Sequence, residues 1–335
     1  MQAKRDILIG GMMYRALFIV TALLFISGCS SKKDGQSEIK SLDSKEEQEV
    51  EYTQSIFDKA DWESDTICYN KSQLTQCGFE RFTKDYPYSI HGNKTLYKIK
   101  VDYPQNGIPY ASILQEWVRE QIAKSVSFEK IIKYRKSGKG YSIDEIAEQT
   151  AQCYFNDLVE EYNDPELVPS TLFMSFDLRL VDSDERTVTF QQYESSYGGG
   201  AHGYFSEELK SFDKQHNCAI TNGYLFKSEH LNDVKRLFLD IVTKNKKFAE
   251  WEKTETMDDV KRHFMSKDED GNMIDSIEKM ILPDPGLSEI GLVYSYQPYD
   301  ISCFAAGCFH FVIPYSKVIP FLSKQGKWCL ERRCT

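Results

Sequence analysis

What this chain lacks narrows its chemistry before any fold is considered. Its six histidines, at positions 91, 202, 216, 230, 263 and 310, are scattered through 335 residues, with no H-E-x-x-H and no pair at helical spacing. That scatter gives a zinc hydrolase nothing to build on, and the cysteines form no paired C-x-x-C knuckles. No metal and no cofactor is expected. The G-x-S-x-G nucleophile elbow is absent as well. Asp268-Glu269-Asp270-Gly271-Asn272 has a passing look of a calcium loop. Its glycine comes at the fourth position instead of the sixth, and no acid stands at the twelfth, so it reads as a solvated acidic turn. Basic charge is also short: 41 Lys and Arg face 51 Asp and Glu, a net charge of −10. This balance disfavours nucleic acid and anionic lipid surfaces and favours basic partners.

The N-terminus is where the first positive signal lies. Lys4, Arg5 and Arg15 precede Ala16–Ile26, an apolar run broken only by Thr21. The run is roughly half the ~20 residues that a bilayer-crossing helix needs, which favours a signal peptide over a permanent anchor. Ile7-Leu8-Ile9 sits oddly among the basic residues, and translation from Met12 or Met13 gives a tidier signal. The ending Leu24-Phe25-Ile26-Ser27-Gly28-Cys29 resembles a bacterial lipobox, whose cysteine is acylated and becomes the mature N-terminus. Residues 1–28 are therefore expected to be removed, leaving a lipoprotein held in the membrane by acyl chains, palmitate among them, on Cys29. Several chains suffice for stable attachment. Removal also takes away three basic residues and one acid, so the mature chain is more negative still. No later apolar run approaches membrane length. Ser30, as a non-Asp residue after the acylated cysteine, favours outer-membrane sorting if the source is Gram-negative.

Nine cysteines are present, and acylation of Cys29 leaves eight, an even number in a compartment that permits disulfides. Cys68/Cys77, Cys303/Cys308 and Cys329/Cys334 are close enough in sequence to pair as local loops. Cys153 with Cys218 is then the remaining long-range staple.

Residues 29–61 are polar, lack apolar periodicity and read as a flexible tether, since they bury too little to offset ordering. The body begins near Trp62 and reads as two parts. A short alternating segment at Leu96 to Val101 suggests a strand. Tyr110, Ile113, Leu114, Trp117 and Val118 mark an amphipathic helix, with Ile122 extending the stripe and Gln121 interrupting it. Ser142 and Glu145 form a capping-box pattern that opens a second helix, buried along Ile143, Ile146, Ala147, Ala151, Tyr154, Phe155 and Leu158. Asp164-Pro165 ends it. The period then shortens: Leu172, Met174, Phe176, Leu178 and Leu180 alternate as a half-buried strand. Thr187 to Tyr193 returns as its hairpin partner. A further strand is predicted from Tyr204 to Phe212. Leu231, Val234, Leu237, Phe238, Ile241 and Val242 mark a helix capped by Ser228. Strands follow through Ile290, Leu292, Tyr294 and Tyr296 and through Phe309, Phe311 and Ile313. A short helix at Ser316 to Leu322 closes the core. Helices and strands in blocks, with half-buried alternation, predict an α+β fold of mostly antiparallel sheet with packed helices.

Between two predicted strands lies Tyr197-Gly198-Gly199-Gly200-Ala201-His202-Gly203. Consecutive glycines supply positive φ and close backbone approach, and no following helix makes this a phosphate loop. His202 reads most simply as a corner residue bonded to backbone. The catalytic alternative makes it a general base beside Asp177 or Glu194, the basis for a carbohydrate hydrolase or deacetylase. Tyrosines cluster here and in the last strands, at 193, 197, 204, 294, 296 and 299. Exposed tyrosine makes a low-entropy contact surface, although tyrosine is also a good strand residue.

Ser195 to Gly203, followed by Phe212-Asp213, resembles the Gly-Gly-Ala-His-Gly signature of the paired domains DUF4163 and DUF3298. Gly291 to Ile301, then Ala305-Ala306-Gly307 and Val312-Ile313-Pro314-Tyr315, is similar to the closing segment of the second domain. The likeness runs from about residue 80 to 322 and assigns 62–207 to the first domain and 208–335 to the second. It implies an α+β fold without known catalytic residues. The same domains form the extracytoplasmic part of RsiV-type anti-sigma factors, which bind lysozyme, and the first accompanies some peptidoglycan deacetylases as a non-catalytic module. A cytoplasmic helix bundle and spanning helix are missing here, so a sigma factor is not an expected partner. The expectation is a non-enzymatic envelope lipoprotein that binds peptidoglycan, another glycan or a lysozyme-like protein. Tyr197, Gly199, Gly200, His202, Gly203 and Tyr299 are its candidate corner.

Overall fold

The computed structural model describes residues 71–126, 141–265 and 276–333, together with Tyr69 and Ile274. Cys29, Cys68, Cys334, residues 1–61 and the acidic turn at 268–272 lie outside the described residues. Helix α1 (Lys71–Cys77) leads into the antiparallel pair β1 (Phe79–Ile90) and β2 (Asn93–Pro104), turned through His91 and Gly92 at positive φ. Helices α2 (Ala111–Lys124) and α3 (Ile143–Glu161) then cross over to β3 (Leu172–Ser183), which pairs with β2 in parallel. The remaining strands, β4 (Thr187–Tyr197), β5 (Tyr204–Asp213) and β6 (Cys218–Ala219), add antiparallel neighbours in sequence order. The result is one six-stranded sheet with a single parallel pairing, the α+β architecture expected from the residue pattern.

Local chemistry accounts for these elements. The Ser142 hydroxyl accepts from the Glu145 N–H at 3.2 Å, and the Glu145 carboxylate accepts from the Ser142 N–H at 2.7 Å, so both halves of the capping box are made. The alternating residues Leu172 to Leu180 are all buried under α2 and α3. Two details of α2 differ from the expected stripe. Ile113 is 44% exposed, while Gln121 is buried and bonds the Trp117 carbonyl at 3.4 Å. A glutamine fits there because its amide finds a backbone acceptor within its own helix.

The second core is assembled around a small sheet. Helix α4 (Asn222–Leu225) follows β6, then α5 (Leu231–Thr243), α6 (Lys246–Glu252) and α7 (Met257–Phe264). Strands β7 (Gly286–Leu287), β8 (Gly291–Tyr296) and β9 (Phe309–Pro314) pair antiparallel. Helix α8 (Tyr315–Val318), a 3₁₀ turn at Ile319–Phe321 and α9 (Lys324–Leu330) finish the chain. All six residues of β8 are buried, not just the alternate ones, because helices cover one face and β5 approaches the other. Ser228 opens a 3₁₀ turn and bonds Glu229 instead of capping α5. Beyond the end expected at Leu322, a separate helix, α9, opens on a Ser323 cap.

The two cores, one within residues 74–212 and one within 220–330, adjoin across β5, the strand in which the division expected at 207/208 falls. Gly286 allows the close approach: a Cβ there would stand 2.9 Å from the Leu209 carbonyl carbon. Polar groups trapped at the junction are satisfied. Thr189 and Ser211 hydroxyls bond across β4 and β5 at 2.8 Å, and the Leu287 N–H donates to Ser211 Oγ at 2.8 Å.

The disulfide expectations need correction. Cys77, Cys218, Cys303, Cys308 and Cys329 are all free thiols, so neither Cys303–Cys308 nor Cys153–Cys218 is bridged. Cys153 rides on α3, which packs over β1 and β2, whereas Cys218 lies on β6 at the opposite edge of the sheet. At least four strand spacings of nearly 5 Å each separate β6 from the strands under α3, far beyond disulfide reach. Cys308 instead donates to Gln297 Oε1 at 3.4 Å, while Cys303 is exposed across a 3₁₀ turn. Cys77 and Cys329 are free thiols, and Cys68 and Cys334, their expected partners, lie outside the described residues. Among the described residues no helix is long and apolar enough to cross a membrane.

Candidate functional site

The glycine corner joins β4 to β5, and its backbone requires its glycines. Gly199 and Gly200 adopt φ of +96° and +92°, a region side chains rarely enter. A Cβ on Gly199 would stand 2.9 Å from Pro169 Cγ, and one on Gly203 would stand 2.7 Å from the Ser196 carbonyl oxygen. The corner is tied down from both sides. Tyr162, just past α3, donates its hydroxyl to the Gly198 carbonyl, and Tyr197 donates to the Gly200 carbonyl at 2.9 Å. Tyr197 therefore serves the architecture of the turn.

His202 faces outward from this frame. Its Nδ1–H donates to the Gly203 carbonyl at 2.8 Å, which leaves Nε2 to accept from the Tyr299 hydroxyl at 3.1 Å. Phe304 stacks on the imidazole with centroids 3.8 Å apart and planes 18° apart. Phe205 meets Phe304 edge-on at 5.5 Å, and Tyr299 lies 5.8 Å from the same ring. Residues nearly a hundred positions apart thus form one aromatic shelf, with His202 and Tyr299 exposed at its rim. Tyr299 is 43% exposed and holds φ of +74°, an outlier for a bulky residue. Strain at an exposed aromatic points to a functional constraint.

The turn carrying Tyr299 is pinned to β5 by one side chain. Gln297 accepts the Glu207 N–H at 2.7 Å and donates to the Glu207 carbonyl at 2.9 Å, so its amide imitates a strand neighbour. Asp300 accepts the Gln297 N–H at 2.7 Å, and burial raises the Asp300 carboxyl despite that bond. Beneath the shelf runs a buried polar seam: Gln191 donates to Glu207 at 2.7 Å, and Ser295 bonds His310 Nδ1 at 2.9 Å. His310 Nε2 stands 3.8 Å from Glu207 Oε2.

Strand register extends the site sideways. Phe205 pairs with Ser195, which pairs with Ser175, which pairs with Lys98. In the next row Glu207, Tyr193, Asp177 and Lys100 stand opposite one another. Side chains in such rows share one face of the sheet, here a partly exposed polar floor leading away from the shelf. Asp177 is engaged there by Arg179 at 2.9 Å. Glu194 belongs to the opposite face, where burial lifts its carboxyl to about 7 while Gln192 donates to it at 2.7 Å. Neither carboxylate bonds His202, so the general-base constellation expected as an alternative is not assembled. Of the six candidate residues, His202 and Tyr299 come together at the surface, and Tyr197, Gly199, Gly200 and Gly203 build the turn beneath. Phe205, Phe304 and Gln297 were not singled out in the sequence. Phe304 directly precedes the quoted Ala305-Ala306-Gly307, and that adjacency was the available signal. Among the described residues no group of His, Cys, Asp and Glu is arranged to hold a metal.

Residues 225–316 match a family model described as a protein of unknown function, DUF3298. The fold is similar to the crystal structure of a DUF3298 family member from Bacteroides fragilis, with a TM-score of 0.55 and 14% identity. That match covers 74% of this chain and 94% of that one. A DUF3298 family protein from Pseudomonas aeruginosa matches with a TM-score of 0.49, 10% identity, and coverage of 74% and 94% respectively. No curated protein matches the chain. These likenesses concern fold alone. Tyr299 and Phe304 fall within the matched segment, and His202 and Phe205 precede it.

Proposed function

We propose that this protein is a non-enzymatic binding module of the bacterial cell envelope, anchored through lipid on Cys29 and holding a glycan strand such as peptidoglycan. The observation that carries this reading is the shelf of His202, Tyr299 and half-buried Phe304, exposed at His202 and Tyr299 and set beside a polar sheet floor. Sugar rings present apolar C–H faces and polar rims. An aromatic shelf takes the faces, and serine, lysine and carboxylate groups take the hydroxyls and acetamido groups. The ring atoms of His202 are already committed to Gly203 and Tyr299, which suits a positioning role better than proton transfer. The DUF4163 and RsiV-like resemblance points the same way, toward an extracytoplasmic domain without catalytic residues. A lysozyme-like protein is the second reading, favoured by the net charge of −10 against a basic partner.

Co-sedimentation with insoluble peptidoglycan tests the proposal. Wild type should be retained, and Tyr299→Ala and His202→Ala should each weaken retention about 10-fold, the loss of one stacked or bonded contact. Retention on a lysozyme column but not on peptidoglycan transfers the assignment to the second reading. No retention on either removes both ligands. Release of fragments from peptidoglycan by wild type, lost in His202→Ala, would establish the hydrolase or deacetylase alternative instead.

A further inference from the structure

The end of β5 remote from the shelf brings two thiols to a single carboxylate. Asp213 has no exposed surface and pairs directly with Cys218 across the β5–β6 ladder. Residues directly opposite in an antiparallel pair project to the same side, with Cβ atoms about 5 Å apart. Cys329 on α9 donates its Sγ–H to Asp213 Oδ2 at 3.2 Å. That oxygen also accepts the Tyr224 hydroxyl at 2.8 Å, and the same hydroxyl lies against the Cys218 thiol. Cys218 and Cys329 thus converge on one carboxylate and one phenol, and neither belongs to the aromatic shelf.

We propose that Cys218 and Cys329 form a disulfide once the chain meets an oxidant of the disulfide class. The Cys218 thiolate, from the more exposed of the two thiols, attacks one sulfur of oxidised glutathione and expels a glutathione thiolate. The Cys329 thiolate then displaces the second glutathione from the mixed disulfide. Two protein thiols give up two protons and two electrons, and one oxidised glutathione becomes two reduced ones. Asp213 loses only one donor, because His216, Tyr224 and two backbone N–H groups still reach it. Burial first, and then the Asp213 charge, hold both thiols protonated in the reduced state. A site that disfavours thiolate oxidises slowly and leaves its disulfide resistant to reduction.

The bridge would tie β6 to α9 and close a loop around the whole segment 225–316, stapling the second core at both ends. In the cell its formation rests on the proposed envelope location. Purified protein tests the geometry separately from that location and from any ligand.

The full chain, carrying Cys29→Ser to prevent lipidation, would be reduced, exchanged into oxidised glutathione, alkylated and mapped by mass spectrometry without reduction. A Cys218–Cys329 linked peptide is expected. A rise in Tm on the order of 10 °C over the reduced chain should accompany it, as a loop of this length constrains the unfolded state. Cys218→Ser should abolish both the linked peptide and the rise. Alkylated or singly glutathionylated Cys218 and Cys329, with no link between them, would overturn the proposal. A bridge from either residue to a different cysteine would overturn it equally. The wild-type map decides these outcomes even if Cys329→Ser, a change in the core, fails to fold.

Discussion

At its Tyr204 end β5 meets solvent through His202, Phe205, Tyr299 and Phe304, whereas at its opposite end Asp213 is fully buried. The enclosed end is saturated with donors. Asp213 accepts from the Gln215 and His216 N–H groups, His216 Nδ1, Tyr224 and Cys329, all within 3.2 Å. Nearby, Arg333 bridges Asp182 and Asp184, and Arg186 stacks 4.0 Å over Trp328 while bonding its carbonyl at 2.6 Å. The acids at the two ends respond in opposite senses. Burial pushes Asp213 and Asp184 upward, but backbone N–H donors outweigh it and hold both below the ordinary carboxylate value. Toward the open end burial prevails, and Glu194 and Asp300 are raised. One strand therefore carries an enclosed end that stabilises the fold and an open end that presents exposed, strained aromatic groups. Strained and exposed groups belong where a ligand can engage them.

Removing the lock is the largest perturbation. Asp213→Ala strands several buried donors at once and should cost about 4 kcal/mol in urea denaturation, in the range for breaking a buried charged network. A loss below about 1 kcal/mol would show that the enclosed end is not the anchor. Acidity then separates the two ends. Glu194 binds its proton more tightly folded, near pH 7, than at its ordinary 4.5. Its stabilisation is complete below pH 4.5 and fades as pH rises through about 7, on the order of 3 kcal/mol in all. Asp213 and Asp184 do the reverse, stabilising above their ordinary 3.8 and losing that contribution as pH falls through their lowered folded values. Stability measured by urea should therefore rise from pH 8 to pH 5 and collapse only in stronger acid. Glu194→Gln should flatten the first limb and leave the second. A wild-type curve already flat between pH 8 and 5 would contradict the assignment.

The corner offers a smaller and sharper comparison. Gly199 and Gly200 share positive φ, but a Cβ meets Pro169 only at Gly199, with open space around Gly200. Gly200→Ala should cost about 1 kcal/mol from conformation alone, and Gly199→Ala roughly 2 kcal/mol once the clash is added. Equal costs would mean that Tyr162 and Pro169 do not hold the corner.

These contrasts also show what the residue pattern could reveal. The capping box of α3 and the alternation of β3 were legible because each is a local device, complete within a few positions. Strand β1 was not, since Glu80, Arg81, Lys84, Asp85 and Pro87 suit a sheet edge and mask its period. Helices α6 and α7 are only two turns long, too short for a stripe to emerge. At the site, Gly199 and His202 stood out as a run, and Tyr299 through its neighbours. Their meeting depends on Gln297 clamping Glu207 across 90 residues, a contact no local spacing records. The disulfide pairing failed for the same reason. Closeness in sequence suggested Cys303 with Cys308, while the fold places Cys218 and Cys329 around Asp213.

The smallest effect bears most directly on function. Tyr299 holds φ of +74° while its hydroxyl reaches His202. Glycine adopts that conformation without strain, so Tyr299→Gly should leave stability unchanged or raise it by about 0.5 kcal/mol, strain relief offsetting the lost hydrogen bond. Peptidoglycan retention should fall in the same variant. Stability kept and binding lost would mean that the strained backbone is maintained for contact with a ligand. Had Tyr299 been placed for packing, its removal would cost stability in proportion to buried surface and leave retention intact. Thermal melts and co-sedimentation of this single variant thus decide whether the open end of β5 is a binding surface or merely an unfinished edge.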